Sequence, residues 1–430
     1  MTRPVRPLPD RRLRPPMGWN SWDCYGTTVT EDEVLANAAF MHDHLLAHGW
    51  DTVVVDIQWY DPTARSHGYN DDPPVVLDAY GRQLPAPNRF PSAAGGAGFA
   101  PLAERVHRLG LRFGLHIMRG IPRRAVAARL PVAGTEFTAD EIADTSSVCP
   151  WNPDNYGLDH DHPGAQAYYD AQVAQFAEWG VDFIKADDML FPYHEREIAA
   201  YARAIERSGR PIELSLSPGT DVSLARLEHL RENAAMWRIC DDLWDQWDHV
   251  EAQFARMARW APAQGPDGWA DADMLPLGHI GIRAERGEDR MSRLTHAEQV
   301  SLLTLWFISR SPLMMGGDLP TSPPETIALL THADALAVLL HSRNNREVLR
   351  ERNLVLWTAD DADERTRYAA VFSLADTPER ISVPLGSLAA RPDDHVHELW
   401  TGTDTPHDGR DLHLDLPAHG AALLRLTPAG

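Results

Sequence analysis

The sequence predicts a (β/α)8 TIM barrel, eight parallel strands with helices outside, joined to a C-terminal antiparallel β-sandwich. Three observations predict it. From about residue 15 to 340, short β-branched runs alternate with helical patterns, about eight times over. Beyond about residue 340, short strands follow one another through Asp, Gly and Pro turns with no long helix. No glycine-rich fingerprint follows any strand, which sets aside a doubly wound open sheet. At 430 residues the chain is long enough for one large and one small domain. The expected division is a flexible tail over 1–14, a barrel over 15–340 and a sandwich over 341–430.

The barrel elements follow in order. Helical spacing over 31–48 begins after Thr30, an N-cap residue, and precedes the β-branched strand 51–56. Helix 101–109 leads into strand 111–116, and helix 165–179 ends at Gly180 before strand 181–187. Then come helix 194–208, strand 211–217, helix 223–232, strand 236–240, helix 248–260, strand 268–274, helix 295–310 and strand 311–315. The sandwich strands are read at 353–358, 368–373, 380–384, 395–400 and 421–426. Loops near 61–98 and 119–161 exceed ordinary barrel connections, as loops that build a site do.

Composition narrows the function. An apolar fraction of 43% with 14 Trp supplies a sizeable core, so wholesale disorder is excluded. A net charge of −22 repels phosphate backbones and anionic lipid, so neither nucleic acid nor membrane is an expected partner. No apolar run reaches the ~20 residues of a membrane span. The arginines at 3, 6, 11, 12 and 14 run into Pro15-Pro16 without the apolar stretch of a signal peptide. Cys24, Cys149 and Cys240 lack metal-type spacing and read as reduced thiols. A cytoplasmic protein is expected.

Chemistry in such a barrel collects at the C-terminal strand ends. Asp56, His116, Lys185, Asp187, Ser217, Asp242, Asp271 and Asp273 all fall there. Clustered carboxylates repel one another and cost stability unless partnered. A divalent metal is one explanation, but His is scarce and no paired His motif occurs. A pair of carboxylates for glycosidic cleavage is the other. Trp19, Trp22, Trp59, Trp237 and Trp269 beside the strand ends favour it, because sugar C–H faces stack on aromatic rings.

Lys185 is the only lysine in the chain. It shares a strand face with Asp187 two residues on, where its ammonium keeps that carboxylate ionised. Asp188 falls on the opposite face. Arg238 offers a forked donor to vicinal hydroxyls or a carboxylate. Periodicity leaves Asp241 and Asp242 equal candidates for a proton donor.

These stretches resemble the glycoside hydrolase family 27 α-galactosidases, a melibiase-type group. The matching segments are Met17–Trp22, Val53–Trp59, Arg89–Pro91, Gly180–Asp187, Trp237–Trp247, Gly268–Leu275 and Ser311–Met314, in the family's order. The resemblance implies a retaining, cofactor-free glycosidase that releases a terminal α-D-galactose or galacto-configured sugar. It implies Asp187 as nucleophile and Asp242 as general acid/base, with carboxyl groups ~5–5.5 Å apart. It further implies Lys185 and Arg238 on ring hydroxyls, Asp56 on the 4- or 6-hydroxyl, Trp22 as an aromatic floor and Asp273 in the polar wall; Trp59 and Trp237 remain substrate-binding candidates from their stacking rings.

Departures from the family pattern fall in the same site. The usual adjacent aspartates followed by Cys-Trp read Asp56-Ile57-Gln58-Trp59, so an alkyl group replaces one carboxylate. The family tyrosine is His116, and Met189 stands where the family has an active-site disulfide cysteine. Ser217 takes the place of a glutamate near the 2-hydroxyl. Ser217 points towards α-N-acetylgalactosaminides and Ile57 towards β-L-arabinopyranosides, which lack the C6 hydroxymethyl. A catalytically inactive carbohydrate-binding barrel is the alternative from another class. The expected partner is a glycoside or oligosaccharide, with the sandwich capping the barrel or forming a homo-oligomer contact.

Overall fold

This computed structural model describes residues 8–70, 72–220, 222–362 and 365–428. Eight parallel strands form the barrel wall: β1 (Met17–Asn20), β2 (Thr52–Val55), β3 (Arg112–Met118), β4 (Phe183–Asp187), β5 (Glu213–Leu216), β6 (Met236–Arg238), β7 (Trp269–Asp271) and β8 (Leu313–Met315). Their order is β7-β6-β5-β4-β3-β2-β1-β8, and a parallel bridge between Leu275 and Met315 joins the two ends. Thr30 caps helix α1 (Glu31–His44), as the sequence predicts, and does so in a capping box with Glu33; the last residues of the 31–48 reading form a separate turn, Leu46–His48. Gly18 sits where a Cβ would lie 2.3 Å from the Thr52 carbonyl oxygen, so β1 approaches β2 only through glycine.

Register sorts the inward faces. His116 lies opposite Lys185, which lies opposite Ser215, which lies opposite Met236, which lies opposite Trp269. With period-two alternation, Asp56, Met118, Asp187 and Arg238 face the lumen, while Val53, Phe113, Ile184 and Trp237 face the helices. The lumen packs Val54, Met118, Phe183, Met236, Trp269 and Met314, topped by Trp22 and Ile57. A much larger apolar core lies between strands and helices.

The second unit begins where helix α2 (Ala333–His341) ends. One sheet holds β9 (Ser342–Glu351), β10 (Leu354–Asp361), β11 (Arg367–Ser373), β13 (His395–Glu398), β14 (Thr403–Asp404) and β16 (Ala421–Thr427), in the order β9-β10-β11-β16-β13-β14. The facing pair is β12 (Glu379–Pro384) with β15 (Asp411–Leu416). Val371, Val383, Leu412, Leu414 and Leu424 close a separate core between the sheets.

The N-terminal segment departs from the expected loose tail. Residues 1–7 lie outside the described residues. Residues 11–14 are docked under the barrel: Arg11 pairs with Asp51 and Glu213, and Arg14 pairs with Asp51 and donates to the Gly49 carbonyl. Two carboxylates at the strand starts supply the counter-charge that the arginine count alone did not reveal. Of the two long loops, 61–98 is mostly turns, with a Leu77–Gln83 bridge and the short turn of helix Pro91–Gly96. Residues 119–161 carry a three-stranded antiparallel sheet, Ile121–Pro122, Ala143–Val148 and Asn155–Leu158. No helix among the described residues is long and apolar enough to cross a membrane.

Candidate active site

At the C-terminal mouth, β2, β3 and β4 build one half of the site. Lys185 Nζ lies 2.8 Å from Asp56 Oδ2, which also accepts from Asn20 Nδ2 at 2.7 Å. Asp56 Oδ1 accepts from the Ile57 amide at 2.8 Å. Burial would raise this carboxyl, but the charges of Lys185 and His116 hold it below the ordinary aspartate range. Asp187 Oδ2 lies 3.0 Å from His116 Nε2, and Oδ1 accepts from the Asp188 amide at 2.9 Å. Here too burial is outweighed, first by the His116 hydrogen bond and charge and then by Lys185, so the group stays far below a free carboxyl. Lys185, desolvated but flanked by Asp56 and Asp187, is held above its ordinary value. A compact ammonium fits between two buried carboxylates; a planar guanidinium needs more room. Asp188 turns away into an ion pair with Arg119 at 2.7 Å, as alternation predicts.

The other half comes from β6 and β7. Arg238 forks between Asp273 Oδ1 at 3.1 Å and Asp242 Oδ1 at 3.0 Å. Asp273 Oδ2 accepts from the Leu243 amide at 2.7 Å, so one carboxylate fixes both the fork and the turn that carries Asp242. Asp242 remains 42% exposed, against 13% for Asp187. One carboxylate is therefore largely enclosed and ionised, and the other faces solvent. Burial pushes Asp271 up to about 7, with Asp273 adding to it, and pushes Asp273 up to about 6 despite Arg238. Ser217 lies beside the Asp187 level of β4, its amide on the Ala186 carbonyl, with its hydroxyl buried and unpartnered among the described residues.

Trp22 and Ile57 lie at the mouth, packed in one apolar cluster with Met118. Two expectations need correcting. Trp59 is wholly buried, donates from Nε1 to the His116 carbonyl and packs on Tyr60, Phe99 and Trp179. Trp237 alternates out of the lumen and packs on Trp260 and Gly268. Neither ring reaches the mouth. Trp19 is buried against the Gly317 carbonyl, and Trp269 opens β7 at the far end of the lumen. Of the five tryptophans beside strand ends, Trp22 alone lies at the mouth.

Four residues at the site went unread in the sequence. Asn20 orients Asp56. Asp23 is a buried carboxyl against Gly316, its Oδ2 unpartnered among the described residues; burial and then Asp273 and Asp242 push it well above its ordinary value. Tyr69 stacks on Trp22 at 5.6 Å and 22°, and Trp151 leans on Tyr69 at 5.9 Å. Tyr69 and Trp151 sit inside the two long loops, the one available signal. Among the described residues no three His, Cys, Asp or Glu side chains converge as metal ligands do.

Two aspartates of unequal exposure at the mouth of a barrel joined to a sandwich agree with what the comparisons find. The family model described as alpha galactosidase A matches residues 157–340, and the alpha galactosidase C-terminal beta sandwich domain matches 351–426. The structure of a family 27 β-L-arabinopyranosidase from Geobacillus stearothermophilus is 48% identical, with 97% of both chains covered and a TM-score of 0.94. The chain belongs to glycoside hydrolase family 27. It is therefore a glycosidase, with a fold and order of domains shared across that family. More distant members include the α-N-acetylgalactosaminidase of Gallus gallus, 29% identical over 74% of this chain and 67% of that one. Alpha-galactosidase 3 of Arabidopsis thaliana is 26% identical over 96% of this chain and 82% of that one.

Proposed function

We propose that the chain is an exo-acting, retaining β-L-arabinopyranosidase that works without a cofactor. Asp187 attacks the anomeric carbon while Asp242 protonates the leaving oxygen; water then opens the glycosyl-enzyme with Asp242 as base. The low pKa of Asp187 suits a nucleophile, and the exposure of Asp242 suits a group that must take up and release a proton. Lys185, Arg238 and Asp56 hold ring hydroxyls, and the Ser217 hydroxyl, unpartnered among the described residues, faces the 2-hydroxyl.

The observation that carries the choice of sugar is Ile57. β-L-Arabinopyranose is α-D-galactopyranose with C6 replaced by hydrogen. Ile57, buried with Trp22 and Met118, offers an apolar wall where a galactoside reader keeps a second carboxylate. A hydroxymethyl pressed against that wall loses its hydrogen bonds to water without replacement, which discriminates strongly. The 48% identical β-L-arabinopyranosidase supports the same reading. The small Ser217 favours α-N-acetylgalactosaminides as the second reading, since it leaves room beside the 2-position. The three buried, free thiols suit a reducing compartment, so a cytoplasmic site of action belongs to the same proposal.

The test is hydrolysis of aryl β-L-arabinopyranoside, α-D-galactoside and α-N-acetylgalactosaminide, with Asp187→Ala as control. The arabinopyranoside should lead in kcat/KM, with its activity abolished in the variant. A lead for either of the other two glycosides, or turnover that survives Asp187→Ala, would overturn the corresponding part.

A further inference from the structure

Trp22, Tyr69 and Trp151 form a ladder of rings from the barrel mouth to solvent. The Trp22–Tyr69 centroids lie 5.6 Å apart, nearly parallel, and Tyr69–Trp151 5.9 Å at 48°. Trp151 ends the ladder 38% exposed. Tyr69 packs against the apolar cluster that holds Trp22, Ile57 and Met118 at the mouth, and burial first, then the charges of Glu285, Asp187, Asp242 and Asp56, raise its phenol. The second and third rungs come from different loops, and both loops are held. Arg65 donates to the Tyr69 carbonyl at 2.7 and 3.2 Å. Buried Gln58 ties the two loops together, its Nε2 reaching the Asn70 carbonyl at 3.3 Å and Asp154 Oδ2 at 3.0 Å. Asp154 in turn donates its amide to Asn152 Oδ1 at 3.1 Å, one residue beyond Trp151.

We propose that Tyr69 and Trp151 form the leaving-group subsite, and that the leaving group they accept is a neutral pyranose ring. The inference rests on the glycosidase reading above and adds the class of substrate. A terminal sugar on Trp22 with its anomeric carbon at Asp187 directs its leaving group towards Asp242, the more exposed carboxylate, and so towards the outer rungs. Flat aromatic faces hold the C–H face of a sugar, and fixed loops spend little ordering entropy on it. The acidic mouth, with Asp56, Asp187, Asp242 and Asp273, together with the net charge of −22, disfavours a uronic acid there.

The experiment compares two substrates with the same terminal sugar: β-L-arabinopyranosyl fluoride, whose leaving group cannot touch the platform, and a β-L-arabinopyranosyl-pyranose disaccharide. Trp151→Ala should lose about tenfold more kcat/KM on the disaccharide than on the fluoride, and Trp151→Phe should recover most of it. Tyr69→Ala should show the same asymmetry. Equal losses on both substrates, or no loss on the disaccharide, would overturn the platform, as would a parent enzyme that cleaves the fluoride but no disaccharide. Were the parent to prefer α-D-galactosides, the terminal-sugar proposal would fail on its own, and galactosyl fluoride against a galactosyl disaccharide would decide the platform.

Discussion

Position 57 sits beside the most firmly held group in the site. Asp56 receives Lys185 and Asn20 on one oxygen and the Ile57 amide on the other, so it has little freedom to adapt to a different sugar. The side chain at 57 is then what varies the choice. Ile57→Asp should move the kcat/KM ratio towards α-D-galactoside over β-L-arabinopyranoside by about tenfold or more, read on the aryl glycosides. His116 acts on the nucleophile instead. Replacing it by Phe removes the donor that depresses Asp187, so the folded pKa rises. The acid limb of the kcat/KM profile should move to higher pH by about one unit; an unmoved limb would show that Lys185 alone sets it. At this scale the sequence was half legible. The alternation that placed Lys185 and Asp187 on one face also turns Trp237 outward once Arg238 faces in. Trp59 lies beyond the end of β2, where no period applies, and only packing decides its direction.

Among the elements, β7 carries the clearest electrostatic cost. Asp271 and Asp273 both face the mouth, and Asp273 adopts φ 87°, which ends the strand three residues earlier than the 268–274 reading. Asp271 has a folded pKa of about 7, raised by burial, against ~3.9 when unfolded. The native state therefore binds more protons than the unfolded chain between about pH 4 and 7, and stability from this group falls across that window. Asp271→Asn keeps an oxygen for the Asp273 amide without the charge. Its melting temperature should exceed the parent's by about 2 °C or more at pH 8 and match it near pH 4, by calorimetry. The sandwich strands show what pattern can and cannot reveal. Asp411–Leu416 alternates Leu412, Leu414 and Leu416 inward against polar partners, a signal present in the sequence but unread. Ser342–Glu351 is a polar edge strand with few inward apolar positions, so only its pairing with β10 identifies it.

For the molecule as a whole, the two units meet chiefly along two barrel helices, His296–Ser309 and Trp247–Trp260. His419 stacks on Trp247 at 4.2 Å and 8°, while its ring nitrogens reach Glu298 on the first helix at 2.7 Å and Asp376 in the sandwich at 3.1 Å. Trp400 stacks on Phe307 and donates to Thr304 at 2.8 Å. His419→Ala should lower unfolding stability by about 1–2 kcal/mol, seen as an earlier thermal transition, with turnover of the preferred glycoside within about twofold of the parent. A large loss of turnover would mean that the junction shapes the mouth.

The sequence by itself determined the barrel and sandwich, the strand faces, and the acidic mouth with its single lysine. Each of these rests on local periodicity or on residue type, which a chain displays before it folds. Tertiary structure alone decided that residues 11–14 lock beneath the barrel, that one tryptophan of five reaches the pocket, and that Tyr69 meets Trp151. Those facts join segments tens to hundreds of residues apart, and nothing in a local window records which charge or ring will be waiting when the chain closes.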